Sequence, residues 1–96
     1  MGSESDIERK FGQYVRSNSG LYLKQNPAWY ANIPDRLVVL PGDRCFFLEL
    51  KAPGYKPRSG QRKFARSLTK RGISVYWRDD LEAAIELYER VKAQTL

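Results

Sequence analysis

The chain contains no histidine and a single cysteine, Cys45. Without histidine there is no Ser-His-Asp or Cys-His nucleophilic pair, no HExxH zinc site, and no hydrolase that depends on an imidazole base. One cysteine permits neither an intramolecular disulfide nor a thiolate zinc cluster. No apolar run approaches the roughly 20 residues of a membrane span. The first residues do not read as a secretory signal, and Asp6 stands where a myristoylation signal needs Ser or Thr. The expectation is a cytoplasmic protein, in its own cell or in an infected host, with no membrane partner. Chemistry, if the chain performs any, falls to carboxylates, lysine, tyrosine or a metal held by oxygen ligands.

What is present fits one globular domain over residues 1–96. Hydrophobic residues make up 42% of the chain and charged residues 29%, a balance that supports a single modest core. The net charge is +6, and its distribution is uneven. From Leu50 to Arg78 there are nine basic residues and no acid: Lys51, Lys56, Arg58, Arg62, Lys63, Arg66, Lys70, Arg71 and Arg78. The remaining residues hold 8 basic and 11 acidic groups, a balance of −3. Positive charge confined to one segment suits a surface that meets phosphates; a solvated helix face is the plain alternative.

Ser5-Asp6-Ile7-Glu8 has the spacing of a capping box and predicts the start of a helix carrying Ile7, Phe11, Tyr14 and Val15, ended by Ser17-Asn18-Ser19-Gly20. "LYLKQ" reads as a short strand. "NPAWYANIP" reads as a loop whose Trp29 and Tyr30 either stack on bases or close the core. Strands are predicted at 35–40 and 44–52, joined by the turn Pro41-Gly42-Asp43. "APGYKPRSG" must be a loop. Ser59 then caps a helix with Phe64, Ala65 and Leu68 inward, closed by Gly72. "ISVYW" is a further strand, parallel to "CFFLELK" through a crossover. Asp79 or Asp80 caps a last helix with Leu81, Ala84, Ile85, Tyr88 and Val91 inward.

Charged residues interrupt the hairpin. Cys45, Phe47, Glu49 and Lys51 share one strand face, and Asp35, Leu37 and Val39 share another. If the turn pairs Leu40 with Arg44, Asp35 falls opposite Glu49, with Cβ atoms roughly 5 Å apart. Two carboxylates that close repel unless something positive lies between them. A divalent cation bound by oxygen, magnesium or manganese, would fill that role. Lys51, about 6.6 Å further along the strand, could act on a water or on an attacked phosphate. A salt-bridged Asp-Lys-Glu cluster at a sheet end, with no chemistry, is the other reading of the same spacing.

"IPDRLVV", "FFLELKAPG" and "SGQRKFARSLTKRGISVYW" together resemble the VRR-NUC (virus-type replication-repair nuclease) family of the PD-(D/E)xK nuclease superfamily, over residues 5 to 90. Asn32 departs from the family pattern, which has glycine two residues before the proline; Asn tolerates a left-handed backbone better than most residues. The resemblance implies an α/β fold, an αβββαβ core with a mixed central sheet flanked by helices, plus a C-terminal helix. It implies that Asp35 and Glu49 hold the metal with the carbonyl of Leu50, and that Lys51 is the catalytic lysine. Gln61 matches the glutamine that opens the next helix and joins the catalytic set. Glu8 matches a first-helix acid of the superfamily, although it also completes the Ser5 capping box. Tyr55, Lys56 and Arg58, followed by Arg62, Lys63 and Arg66, are placed to grip a DNA backbone.

The functional expectation is a Mg2+- or Mn2+-dependent endonuclease that hydrolyses phosphodiester bonds of DNA. No helix is evidently dedicated to base edges, so recognition by DNA shape is expected. Stand-alone members of the family are associated with phages and with branched DNA, including four-way (Holliday) junctions, which suggests DNA repair or processing. A binding module that keeps the fold without catalysis is the alternative; a restriction-type enzyme would need an added specificity element. A homodimer is expected, with Leu21, Tyr22, Leu23, Trp29 and Tyr30, or the outer face of the first helix, as its interface.

Overall fold

A computed structural model describes residues 3–26, 28 and 30–94. Among them the element order is α1 (Glu4–Ser17), β1 (Leu21–Lys24), β2 (Arg36–Leu40), β3 (Arg44–Leu50), α2 (Ser59–Lys70), β4 (Val75–Arg78) and α3 (Leu81–Ala93). The αβββαβ order and the closing helix are those expected from the sequence. The four strands lie in the order β1-β2-β3-β4. β1, β2 and β3 run antiparallel as a meander, and β4 pairs parallel to β3 after the α2 crossover, so the sheet is mixed.

The β2–β3 hairpin is set by its turn. Gly42 and Asp43 both adopt positive φ, 88° and 66°, and Leu40 pairs with Arg44. Register then alternates side chains between faces. Val38, Leu40, Phe46, Leu48 and Leu50 point to one face and are all buried. There α1 contributes Ile7, Phe11 and Val15, and α3 contributes Ala84, Leu87, Tyr88 and Val91, in one contiguous core. Edge-to-face rings join the two helices: Phe11 with Tyr88 and Tyr14 with Tyr88, at centroid separations of 6.4 and 5.6 Å.

The caps differ from the sequence reading at two helices. α1 is opened by Ser3, whose hydroxyl accepts from the Asp6 backbone N–H at 3.2 Å while the Asp6 carboxylate accepts from Ser3 N–H. Ser5 therefore lies inside the helix, and Glu8 is released from any capping role. α2 begins after Arg58 rather than being capped by Ser59: the Gln61 side chain accepts from Arg58 N–H at 2.8 Å. Asp80 caps α3 through Ala83 N–H, whereas Asp79 accepts from Gly54 N–H at 3.0 Å and ties down the loop after β3.

The opposite sheet face carries Leu37, Val39, Cys45, Phe47, Glu49, Val75 and Trp77 by the same alternation. α2 lies over its β4 end but buries no residue completely; Phe64, Ala65 and Leu68 are half-buried. Leu21 and Leu23 extend the face across β1 and remain 56% and 42% exposed.

Candidate active site

The site grows from one end of this sheet. β2 begins at Arg36, and the Arg36–Leu48 pair carries the register on to bring Asp35 opposite Glu49. The Asp35 backbone N–H donates to Glu49 Oε1 at 3.2 Å. Gln61 Nε2 donates to Glu49 Oε2 at 3.3 Å, and Lys51 Nζ lies 3.6 Å from the same oxygen. Glu49 is a buried charged residue, 5% exposed. Burial pushes its carboxyl up to about 7, helped by the nearby Asp35 charge and opposed by the Asp35 N–H bond and Lys51. Lys51 thus pairs with Glu49, as the salt-bridge reading of this spacing expects, and no ion pair joins it to Asp35 among the described residues.

Gln61 is aimed by its own helix start. Its amide oxygen takes the Arg58 N–H, so its amide nitrogen faces Glu49. Asn32 sits beside that start with φ 67°, the left-handed backbone that glycine or Asn tolerates. A Cβ on Gly60 would meet the Asn32 amide at 2.9–3.1 Å. Gly60 therefore leaves room for the Asn32 side chain beside the start of α2.

A cavity of about 260 Å³ gathers Glu4, Asp35, Glu49, Lys51, Arg58 and Gln61 around it. Glu4, Glu8 and Asp35 each offer a carboxylate oxygen within 4.8 Å of the others. Oxygens on opposite sides of a hard hexacoordinate cation stand about 4–5 Å apart, so the donor set and its spacing fit such an ion. Glu8 lies in this acidic cluster beside Asp35, and Glu4 joins it. Sequence reasoning missed Glu4, though E-x-x-x-E at 4 and 8 puts both acids on one helix face. Leu50, whose carbonyl the resemblance assigned to the metal, keeps its side chain in the core.

Beyond Lys51, a second opening of about 400 Å³ is lined by Glu4, Lys51, Ala52, Tyr55, Lys56 and Arg58. Tyr55 is 68% exposed, and Lys56, Arg58, Arg62, Lys63 and Arg66 are exposed as well. None of these cations pairs with an acid among the described residues. Tyr30 is exposed and packs loosely on Phe64, with ring centroids 5.3 Å apart, so it does not close the core; Trp29 lies outside the described residues.

A paired acid and E-x-K at a strand end, with a glutamine-opened helix above them, is the arrangement that the sequence resemblance implied for a PD-(D/E)xK nuclease. No family model matches the chain. A protein called "Putative nuclease p44", from Acyrthosiphon pisum secondary endosymbiont phage 1, is 41% identical over 64 residues, 66% of this chain and 69% of that protein. A solved VRR_NUC domain superposes with a TM-score of 0.81 over 92% of this chain and 97% of that one, at 23% identity. The chain belongs to the VRR-NUC nuclease family.

Proposed function

We propose that the protein is a divalent-metal-dependent endonuclease acting on branched DNA. The observation that carries this reading is the convergence of Glu4, Glu8, Asp35, Glu49 and Lys51 at one sheet end, beside cations that pair with no acid among the described residues. Asp35 with Glu8, Glu4 and Glu49, helped by the Leu50 carbonyl, would hold magnesium or manganese, which when bound polarises the scissile phosphate and offsets charge developing in the transition state. Lys51 lies in the same cavity, where its ammonium can orient the attacking water or meet the attacked phosphate. Gln61 holds Glu49 in place. Lys56, Arg58, Arg62, Lys63 and Arg66 supply sequence-independent backbone affinity. Intact Asp35, Glu49 and Lys51 weigh against a binding module without catalysis.

We take the working unit to be a homodimer, because a branched, two-fold substrate is met most simply by two sites related by a two-fold axis. The surface favouring it is the open sheet face of Leu21, Leu23, Leu37, Val39 and Phe47. Tyr22 is not part of that face, since it turns toward α1 and bonds Glu8. The outer face of α1 is polar, with Arg9, Lys10, Gln13, Arg16 and Ser17 exposed.

The test is cleavage of labelled duplex, flap and four-way-junction DNAs with and without each metal. Asp35→Asn and Glu49→Ala should each lower cleavage by more than about 100-fold and still bind DNA. Near-normal metal-dependent cleavage by either variant would overturn the assignment.

A further inference from the structure

Glu8 differs from the other acids of the cluster in being gripped from behind. Arg36 Nε donates to Glu8 Oε1 at 2.7 Å, and the Tyr22 hydroxyl donates to the same oxygen at 2.9 Å. The Arg36 guanidinium also lies over the Tyr22 ring, 4.2 Å from its centroid. Both members of the ion pair are largely buried, with 17% and 14% of their side chains exposed. The Tyr22 ring is fixed in turn. It meets Phe11 edge-on at 5.7 Å and lies against Gly12, where a Cβ would come within 2.8 Å of it. Gly12 is one helical turn beyond Glu8, so a bare patch on α1 is what admits the ring. Oε2 of Glu8, meanwhile, has no hydrogen-bond partner among the described residues.

We propose that Arg36 and Tyr22 are positioning residues that lock Glu8 through Oε1 and keep Oε2 free for a divalent cation shared with Glu4 and Asp35. The proposal rests on the cation reading of that cluster given above. A carboxylate that only stabilised the fold would gain little from two donors on one oxygen with the other left bare. A metal ligand gains from that asymmetry, because partners behind a ligating carboxylate fix its orientation. Arg36 is also the positive charge closest to Glu8, and it allows an acid to be held beside two others before any cation arrives. Arg36 directly follows Asp35, so one strand end sends a ligand to one side and the clamp on a second ligand to the other.

The experiment is calorimetric titration of Mn2+ into the full chain, with a thermal melt of each metal-free variant alongside. Arg36→Ala should weaken Mn2+ binding about 10- to 100-fold, and Arg36→Lys should recover part of that loss. Tyr22→Phe, which keeps the ring and removes only the hydroxyl, should weaken binding severalfold with little change in melting temperature. Should Arg36→Ala fail to fold, Tyr22→Phe decides. Unchanged Mn2+ affinity in Tyr22→Phe and Arg36→Ala, with weakened affinity in Glu8→Gln, would overturn the clamp. Parent-like affinity in Glu8→Gln would instead overturn the cation reading of Glu8.

Discussion

Glu49 is the residue whose chemistry the fold alters most. Its carboxyl rises from an ordinary value near 4.5 to about 7, so between those values the folded chain binds more proton than the unfolded chain. Stability contributed by this group is therefore present at low pH and lost as pH rises toward 7. The metal-free protein should melt at progressively lower temperature over that interval, and Glu49→Gln should flatten the slope. Equal slopes in both proteins would show that Glu49 does not titrate there. Metal binding requires the carboxylate form, so apparent metal affinity should increase from pH 6 to 8. The Asp35–Glu49 apposition was legible because the hairpin turn sets the register, and side-chain alternation does the rest. The identity of the helix cap was not, since Ser3 and Ser5 both precede an acid at the right distance. The Ser3 cap frees Glu8 for the site. The clamp on it was not legible either, because Tyr22 and Arg36 are far from Glu8 in sequence.

At the scale of elements, α2 is the piece that completes the site, and its seating depends on a pair. Asn32 takes the left-handed backbone, and Gly60 leaves room for its amide. Gly60→Ala should lower both melting temperature and activity, and Asn32→Gly should relieve the added methyl. The two changes should couple by about 1 kcal/mol in a double-mutant cycle; strict additivity of melting free energies would sink the idea. The order of elements could be read from the chain because turn residues punctuate it: Pro41-Gly42-Asp43, the 51–58 loop and Gly72 each fall where an element stops. The half-buried state of α2 could not. Its amphipathic pattern predicts an apolar face but not how deeply that face sinks.

At the scale of the whole molecule, charge and apolar surface separate. Exposed cations stand along α2 and the loop before it, while uncovered leucines occupy the β1 side of the same sheet face. Replacing Lys56 and Arg58, or Arg62 and Lys63, should weaken binding to all DNAs alike. Each pair should flatten the slope of log K against log salt by about 2, given roughly 0.9 per phosphate contact. A changed preference between sequences at constant slope would mean that these side chains read bases. Leu21→Asp with Leu23→Asp should convert the proposed dimer to a monomer in sedimentation. A parent protein that already sediments as an 11.1 kDa species while cutting both strands of a junction would defeat the two-fold reading. Among the described residues no helix is long and apolar enough to cross a membrane.

That α2 sends no side chain fully into the core has a consequence for time as well as structure. An element held by half-buried contacts opens more readily than one whose residues are completely enclosed. The amides of α2 should therefore exchange with deuterium sooner than those of α1 or α3. Whenever α2 opens, Gln61 leaves Glu49, and the cavity beside Glu49 loses one wall. DNA lying along its cations would hold the helix down and slow that exchange. The substrate would then complete the enclosure it is cut in, and exchange rates in α2 unchanged by saturating DNA would exclude this coupling.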